Sequence, residues 1–210
     1  LEERGEKVRE YVLAETWDLK AEKWANYFDE LEAEMNGYED DKQAVLVLGP
    51  ESSGTRLGTK ILTEMGFKGS DQHRQQWDDE LPENQQKIVW RRSYPHDNKW
   101  PDLKTMTRRL RRRNYNVAAV VMERDMHATI SSQMNHNHVD SAFQGVRQIK
   151  EAKRRIINDL RDAKVDYVPV SYENLVQRPK KAIQTLAEQL GVEYEDVNIE
   201  ITDENEKHYS

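Results

Sequence analysis

Residues 46–62 read LVLGPESSGTRLGTKIL. An apolar run suited to a buried strand gives way to a turn rich in Gly and Ser, and then to apolar residues at helical spacing. Strand, small-residue turn and helix in direct succession form the repeating unit of α/β folds. Gly49 and Gly54 also stand at the spacing G-x-x-x-x-G of a phosphate-binding loop. In a nucleotide-hydrolysing loop of that kind the next residues are a Lys that reaches the terminal phosphates and a Ser or Thr that holds magnesium. Here they are Thr55 and Arg56, so a kinase-like phosphotransferase would lack both groups.

The chain downstream repeats the alternation. The spacing predicts a strand over 44–48, a helix over about 55–65 ending at Gly66, a strand over 87–91, a helix over 102–112 and a strand over 117–122. Helices near 126–134 and 142–163, a strand over 165–171 and a helix over 179–190 closed by Gly191 complete the series. Short apolar strands separated by helices predict a three-layer α/β sandwich around a central, mainly parallel sheet. Pro169 cannot donate a ladder hydrogen bond, so the last strand either lies at an edge or stops early. Residues 1–42 read differently: Trp17, Trp24, Phe28, Leu31 and Met35 fall near one helical face in a highly charged segment. That face either packs on the chain's own core or forms an arm that joins copies into a homo-oligomer. The domain division is therefore 1–42, an amphipathic helical segment, and 43–210, the α/β domain.

Composition narrows the function. The net charge of −7 argues against a general nucleic-acid binder, although Arg108, Arg109, Arg111, Arg112 and Arg113 form a local basic cluster. With no cysteine there are no disulfides, thiolate metal ligands or cysteine nucleophiles. No run reaches the length of a membrane span and no signal peptide is visible, so the expectation is a cytoplasmic protein without membrane association.

Three segments could carry chemistry, each where a strand leads into a helix. In the first, Ser52, Ser53, Gly54 and Thr55 let backbone N–H groups approach an anion in front of a helix N-terminus, and Arg56 adds a full charge. In the second, Arg124 follows the strand 117–122 and Ser132 comes eight residues later. The third is Val170-Ser171-Tyr172-Glu173-Asn174-Leu175-Val176-Gln177-Arg178-Pro179, read as a strand and a turn leading into the helix over 179–190. His136-Asn137-His138 holds two alternate histidines without a clear third ligand, and no metal site is expected.

In order and spacing these three segments resemble the sulfotransferases that use 3′-phosphoadenosine 5′-phosphosulfate (PAPS), over roughly residues 43–192. That family has a P-loop-like Ser-Gly-Thr turn for the 5′-phosphosulfate, matched by Ser53-Gly54-Thr55. It holds the 3′-phosphate with an Arg and a Ser eight apart, matched by Arg124 and Ser132. Its Tyr-Glu-Asp-Leu-like segment is matched by Tyr172-Glu173-Asn174-Leu175. A sulfuryl donor needs neither the P-loop lysine nor a magnesium hydroxyl, which accounts for Thr55 and Arg56. The chain departs from the family at Ser52, where a basic residue is usual, and at Leu57, where an aromatic residue often stands. The basic, Gly-rich segment near the C-terminus is also missing.

The resemblance implies transfer of a sulfuryl group from PAPS to a hydroxyl or amine, with adenosine 3′,5′-bisphosphate (PAP) as the other product and no metal. Ser52, Ser53, Gly54, Thr55, Arg56, Arg124, Ser132 and Tyr172 would bind the donor. Relatives carry a His just beyond a strand that follows the loop, which points to His96 as the base, with Arg92 as a cation beside the sulfuryl oxygens. His127, His136, His138, Glu51 and Asp97 remain alternatives for the base. The acceptor is a small molecule or carbohydrate, with Trp77, Trp90, Tyr94 and Trp100 available to line its cleft. The rival readings are a nucleotide kinase and a non-catalytic nucleotide-binding or assembly module.

Overall fold

Four apolar strands pair side by side in the order β2-β1-β3-β4, every pair parallel. The computed structural model describes residues 42–69, 85–96, 99–193, 199 and 201–205, and the predicted helical segment at 1–42 therefore lies almost wholly outside it, as do Trp77 and Asp97. The chain order is β1 (Gln43–Pro50), α1 (Thr55–Glu64), β2 (Lys87–Tyr94), α2 (Leu103–Arg111), β3 (Asn116–Glu123), α3 (Met126–Asn135), α4 (Ala142–Asp162), β4 (Asp166–Ser171), α5 (Tyr172–Gln177) and α6 (Pro179–Leu190).

Period-two alternation divides the strands between two cores. Ala44, Leu46 and Leu48 of β1, with Ile88, Trp90 and Tyr94 of β2, pack against Leu103, Met106 and Leu110 of α2 and Ile156 and Leu160 of α4. On the other face Val45, Val47, Val89, Val120 and Met122 meet Ile61 and Leu62 of α1 and Ile183 and Leu186 of α6. Strands buried on both faces must be apolar nearly throughout, which is why β1 reads as a continuous run. The three-layer α/β sandwich expected from the alternation is the architecture observed. Among the described residues no helix is long and apolar enough to cross a membrane.

Two elements differ from the sequence reading. β2 continues to Tyr94, past the predicted end at 91, because the sheet buries Arg91, Arg92 and Ser93, whose polarity resembles a loop. The segment after β4 is a helix, α5, rather than a turn, because the Ser171 hydroxyl accepts from the Asn174 N–H at 3.2 Å and caps it. β4 begins one residue later than predicted, continues past Pro169 to the predicted end at Ser171, and is an edge strand among the described residues, the position in which Pro169 is tolerated.

The strand order sets up a crevice. From β1 the chain crosses to β2 through α1 on one face, whereas from β3 it crosses to β4 by way of α4 on the other. The loops after β1 and β3 therefore diverge at their carboxyl ends, leaving the opening where ligands bind in open α/β sheets.

The two-sided core makes a direct test. Leu46→Ala removes a fully buried side chain from the central strand and should cost about 2–5 kcal/mol in urea unfolding. Tyr167→Ala, at a position 45% exposed on the edge strand, should cost well under half of that.

Candidate functional site

The crevice is floored by the loop that joins β1 to α1. Pro50 ends the strand, its carbonyl accepts from the Ser53 N–H at 3.1 Å, and the chain turns through two left-handed residues, Ser52 (φ 66) and Gly54 (φ 91). Alternation of this kind turns successive N–H groups toward one side and forms an anion-binding concavity. Close approach requires the two glycines. A Cβ on Gly49 would stand 2.3 Å from Ser53 Oγ and 2.9 Å from the Met122 carbonyl oxygen, and one on Gly54 would stand 2.7 Å from the Tyr172 ring.

Gly54 is also the N-cap of α1 and offers it no side-chain cap. By contrast α2, α3, α4 and α5 are capped by Asp102, Asp125, Ser141 and Ser171. The first-turn N–H groups of α1 thus lack the side-chain acceptor that those helices have. Ser53 adds a second donor: it is 1% exposed, and its Oγ has no hydrogen-bond partner in the described structure. A buried hydroxyl without a partner costs stability. Thr55, buried, starts the helix, and Arg56 stands exposed in its first turn.

Arg124, at the carboxyl end of β3, reaches across the opening. Its Nη1 donates to the Ser52 carbonyl at 3.0 Å, its Nε to Asn205 Oδ1 at 2.6 Å and its Nη2 to the Glu204 carbonyl at 3.0 Å. The guanidinium carbon lies 4.6 Å from the centroid of the Tyr172 ring. Tyr172 Oη accepts from the Glu204 N–H at 2.9 Å and donates to the Thr202 carbonyl at 3.3 Å; burial raises its pKa. Glu173 joins the pieces: Oε1 accepts from the Asp125 N–H at 2.8 Å and from Asn205 Nδ2 at 3.1 Å, and Oε2 from the Ser171 hydroxyl at 3.1 Å. Burial opposes its ionisation, but these hydrogen bonds outweigh that and hold the carboxyl below its ordinary value.

Ser52, Ser53, Gly54, Arg124 and Tyr172 are therefore brought together. Ser132 is buried in α3, whose next residue, Gln133, donates from Nε2 to the Glu51 carbonyl at 2.8 Å and ties that helix to the loop. His96 and Arg92 share a different setting, a cavity against α2, on the face opposite α1. The longer β2 places His96 two residues past its end, and Tyr94 pairs in register with Pro50, so His96 leaves the same edge of the sheet as the loop. Trp90 and Trp100 line that cavity, whereas Tyr94 is wholly buried in the core.

Several participants were not legible beforehand. Asn205 carried no signal at all, since its role arises from a turn folding back on residues about 80 positions earlier. A Glu51 carboxylate oxygen lies 3.2 Å from His138 Nδ1, bringing together two residues that the sequence offered only as separate alternatives. Arg91 and Arg92 alternate across the sheet, so Arg91 falls on the face of Val89, toward α1, and Arg92 on that of Trp90.

No protein-family model matches this chain, and no curated protein matches it. Among solved structures it is similar to the sulfotransferase domain of the Synechococcus PCC 7002 olefin synthase, at 16% sequence identity and a TM-score of 0.46, over 77% of this chain and 78% of that one.

Two glycines separate conformational strain from collision. Gly66 (φ 87) has nothing within 4 Å of an added Cβ, so Gly66→Ala should cost only the left-handed backbone term of about 1–2 kcal/mol. Gly54→Ala adds the contact with Tyr172 and should cost about 1–3 kcal/mol more, measured by denaturant unfolding of both variants.

Proposed function

We propose that the chain is a sulfotransferase that moves a sulfuryl group from PAPS to a hydroxyl or amine, with the nucleotide in the crevice between β1 and β3. The observation that carries this reading is the loop itself: a buried Ser53 hydroxyl without a partner, beside the uncapped N-terminus of α1. Those donors suit the oxygens of a phosphosulfate, and the glycines allow the group to lie against backbone. Neither a P-loop lysine nor a magnesium-binding hydroxyl follows Gly54, in keeping with a donor whose reacting group is not a terminal phosphate.

The remaining roles follow from position. Arg124 and Ser132 would hold the 3′-phosphate, Arg124 exchanging acceptors such as Asn205 Oδ1 and the Glu204 carbonyl for phosphate oxygens. Tyr172 would support the guanidinium from beneath. In the transfer, the acceptor oxygen or nitrogen bonds to sulfur in line as the bond from sulfur to the 5′-phosphate oxygen breaks. PAP leaves with that electron pair, and the acceptor's proton passes to His96.

Calorimetric titration with EDTA present should show PAP binding more tightly than AMP or ATP. A magnesium-dependent preference for ATP would favour a kinase instead. Arg124→Ala should lower the preference for PAP over AMP by roughly tenfold or more, since a charge-assisted hydrogen bond contributes about 1.5–3 kcal/mol. Equal losses for both ligands would remove Arg124 from the 3′-phosphate site.

On an identified acceptor, His96→Ala should lower turnover by about 10²–10⁴-fold with PAP affinity nearly unchanged. Near-normal turnover would transfer the role to another group, the Glu51 and His138 pair being the first to examine.

A further inference from the structure

Beyond the carboxyl end of β2, between that strand and α2, lies a cavity of about 460 Å³. Its size and its mixture of rings and polar groups are those of a small-molecule site. Trp100, 37% exposed, supplies flat apolar surface, the buried Trp90 carries the Arg92 guanidinium against its ring, and Arg92, His96, Lys99 and Arg109 supply basic groups. The one carboxylate among the lining residues, Asp102, accepts from the Thr105 N–H at 2.9 Å as the cap of α2, and that hydrogen bond helps to hold its pKa below the ordinary value.

Arg92 gives the cavity its character. It is 5% exposed, its Nη1 donates to the Arg91 carbonyl at 2.7 Å, and its guanidinium carbon lies 4.9 Å from the centroid of the Trp90 ring. A guanidinium held against an aromatic ring keeps its fork of N–H donors suited to a carboxylate or sulfate, which it binds through two parallel hydrogen bonds. A second stacked pair stands at the rim, where the Arg155 guanidinium carbon lies 4.2 Å from the Trp100 ring centroid.

We infer that the cavity binds an anionic acceptor: a hydroxyl-bearing molecule with a flat ring face and a carboxylate or sulfate. The ring lies along Trp100, and the anion meets Arg92, with Lys99 and Arg109 nearby. His96 lines the same cavity and leaves the sheet beside the β1 loop, so the acceptor hydroxyl falls at the edge that the proposed donor site shares. Selectivity for anions stands on the cavity alone, while its role as an acceptor site rests on the sulfotransferase reading.

Two matched pairs of probes test this by calorimetry: 4-hydroxybenzoate against 4-hydroxybenzyl alcohol, and methyl β-D-glucuronide against methyl β-D-glucoside. Within one pair or both, the anionic member should bind at least tenfold more tightly, and the pair that discriminates tells phenolic from sugar acids. Arg92→Gln should abolish that preference. Because Arg92 is buried and its loss could unfold the protein, Lys99→Gln with Arg109→Gln provides a second test at less buried positions and should reduce the preference several-fold. Saturating PAP should leave probe binding in place.

Equal affinity within both pairs, no binding of any probe at millimolar concentration, an unchanged preference in the folded variants, or displacement of the probe by PAP would each overturn the inference. PAP binding without anion preference would sink this inference alone. Anion preference without PAP binding would keep the anion-selective cavity and remove the sulfotransferase reading.

Discussion

Everything at the carboxyl edge of the sheet depends on how closely the β1–α1 loop can approach its neighbours. The loop passes over Met122 on one side and against the Tyr172 ring on the other, and only the missing side chains of Gly49 and Gly54 leave room for it. A left-handed Ser52 adds a conformational cost of about 1–3 kcal/mol, of the kind that concentrates at functional sites. The result is a concave backbone with its N–H groups gathered in front of a helix that has no side-chain cap. Asp102, Asp125, Ser141 and Ser171 cap α2, α3, α4 and α5, whereas α1, like α6 after Arg178, has no side-chain cap.

Around that loop the polar groups form one connected system. Arg124 ties the loop carbonyl of Ser52 to the turn at 204–205, and Glu173 ties the same turn to the backbone at Asp125. Partly buried hydrogen-bonded networks of this sort are costly to leave half satisfied, so their members are held in position together. The β1–α1 loop and the turn at 204–205 are therefore positioned together through Arg124.

The sheet separates two environments. On the α1 side and at its edge lie the small residues and N–H groups of the crevice; on the α2 side lie the stacked arginines and tryptophans of the cavity. Both open at the carboxyl ends of parallel strands, as the register of Pro50 with Tyr94 requires. An α/β sheet can thus carry two chemically different surfaces without placing either on a long loop.

The alternation of short apolar runs with amphipathic helices determined the fold class, because strands covered on both faces must be apolar and the helices that cover them must carry a stripe. The loop 49–54 and the position of Arg124 were legible for the same reason: backbone geometry near a strand end is written in local residue types, above all Gly and Ser. What the sequence could not supply was the set of contacts between distant segments. Arg91, Arg92 and Ser93 read as the end of a strand because their polarity is a local property, while their burial is conferred by neighbouring layers. Which of two adjacent arginines faces the tryptophan, which carboxylate joins His138, and that Asn205 returns to Arg124 were decided only when the chain closed on itself. Those contacts depend on register and on where a distant turn comes to rest, and neither leaves a periodic trace in the residues that make them.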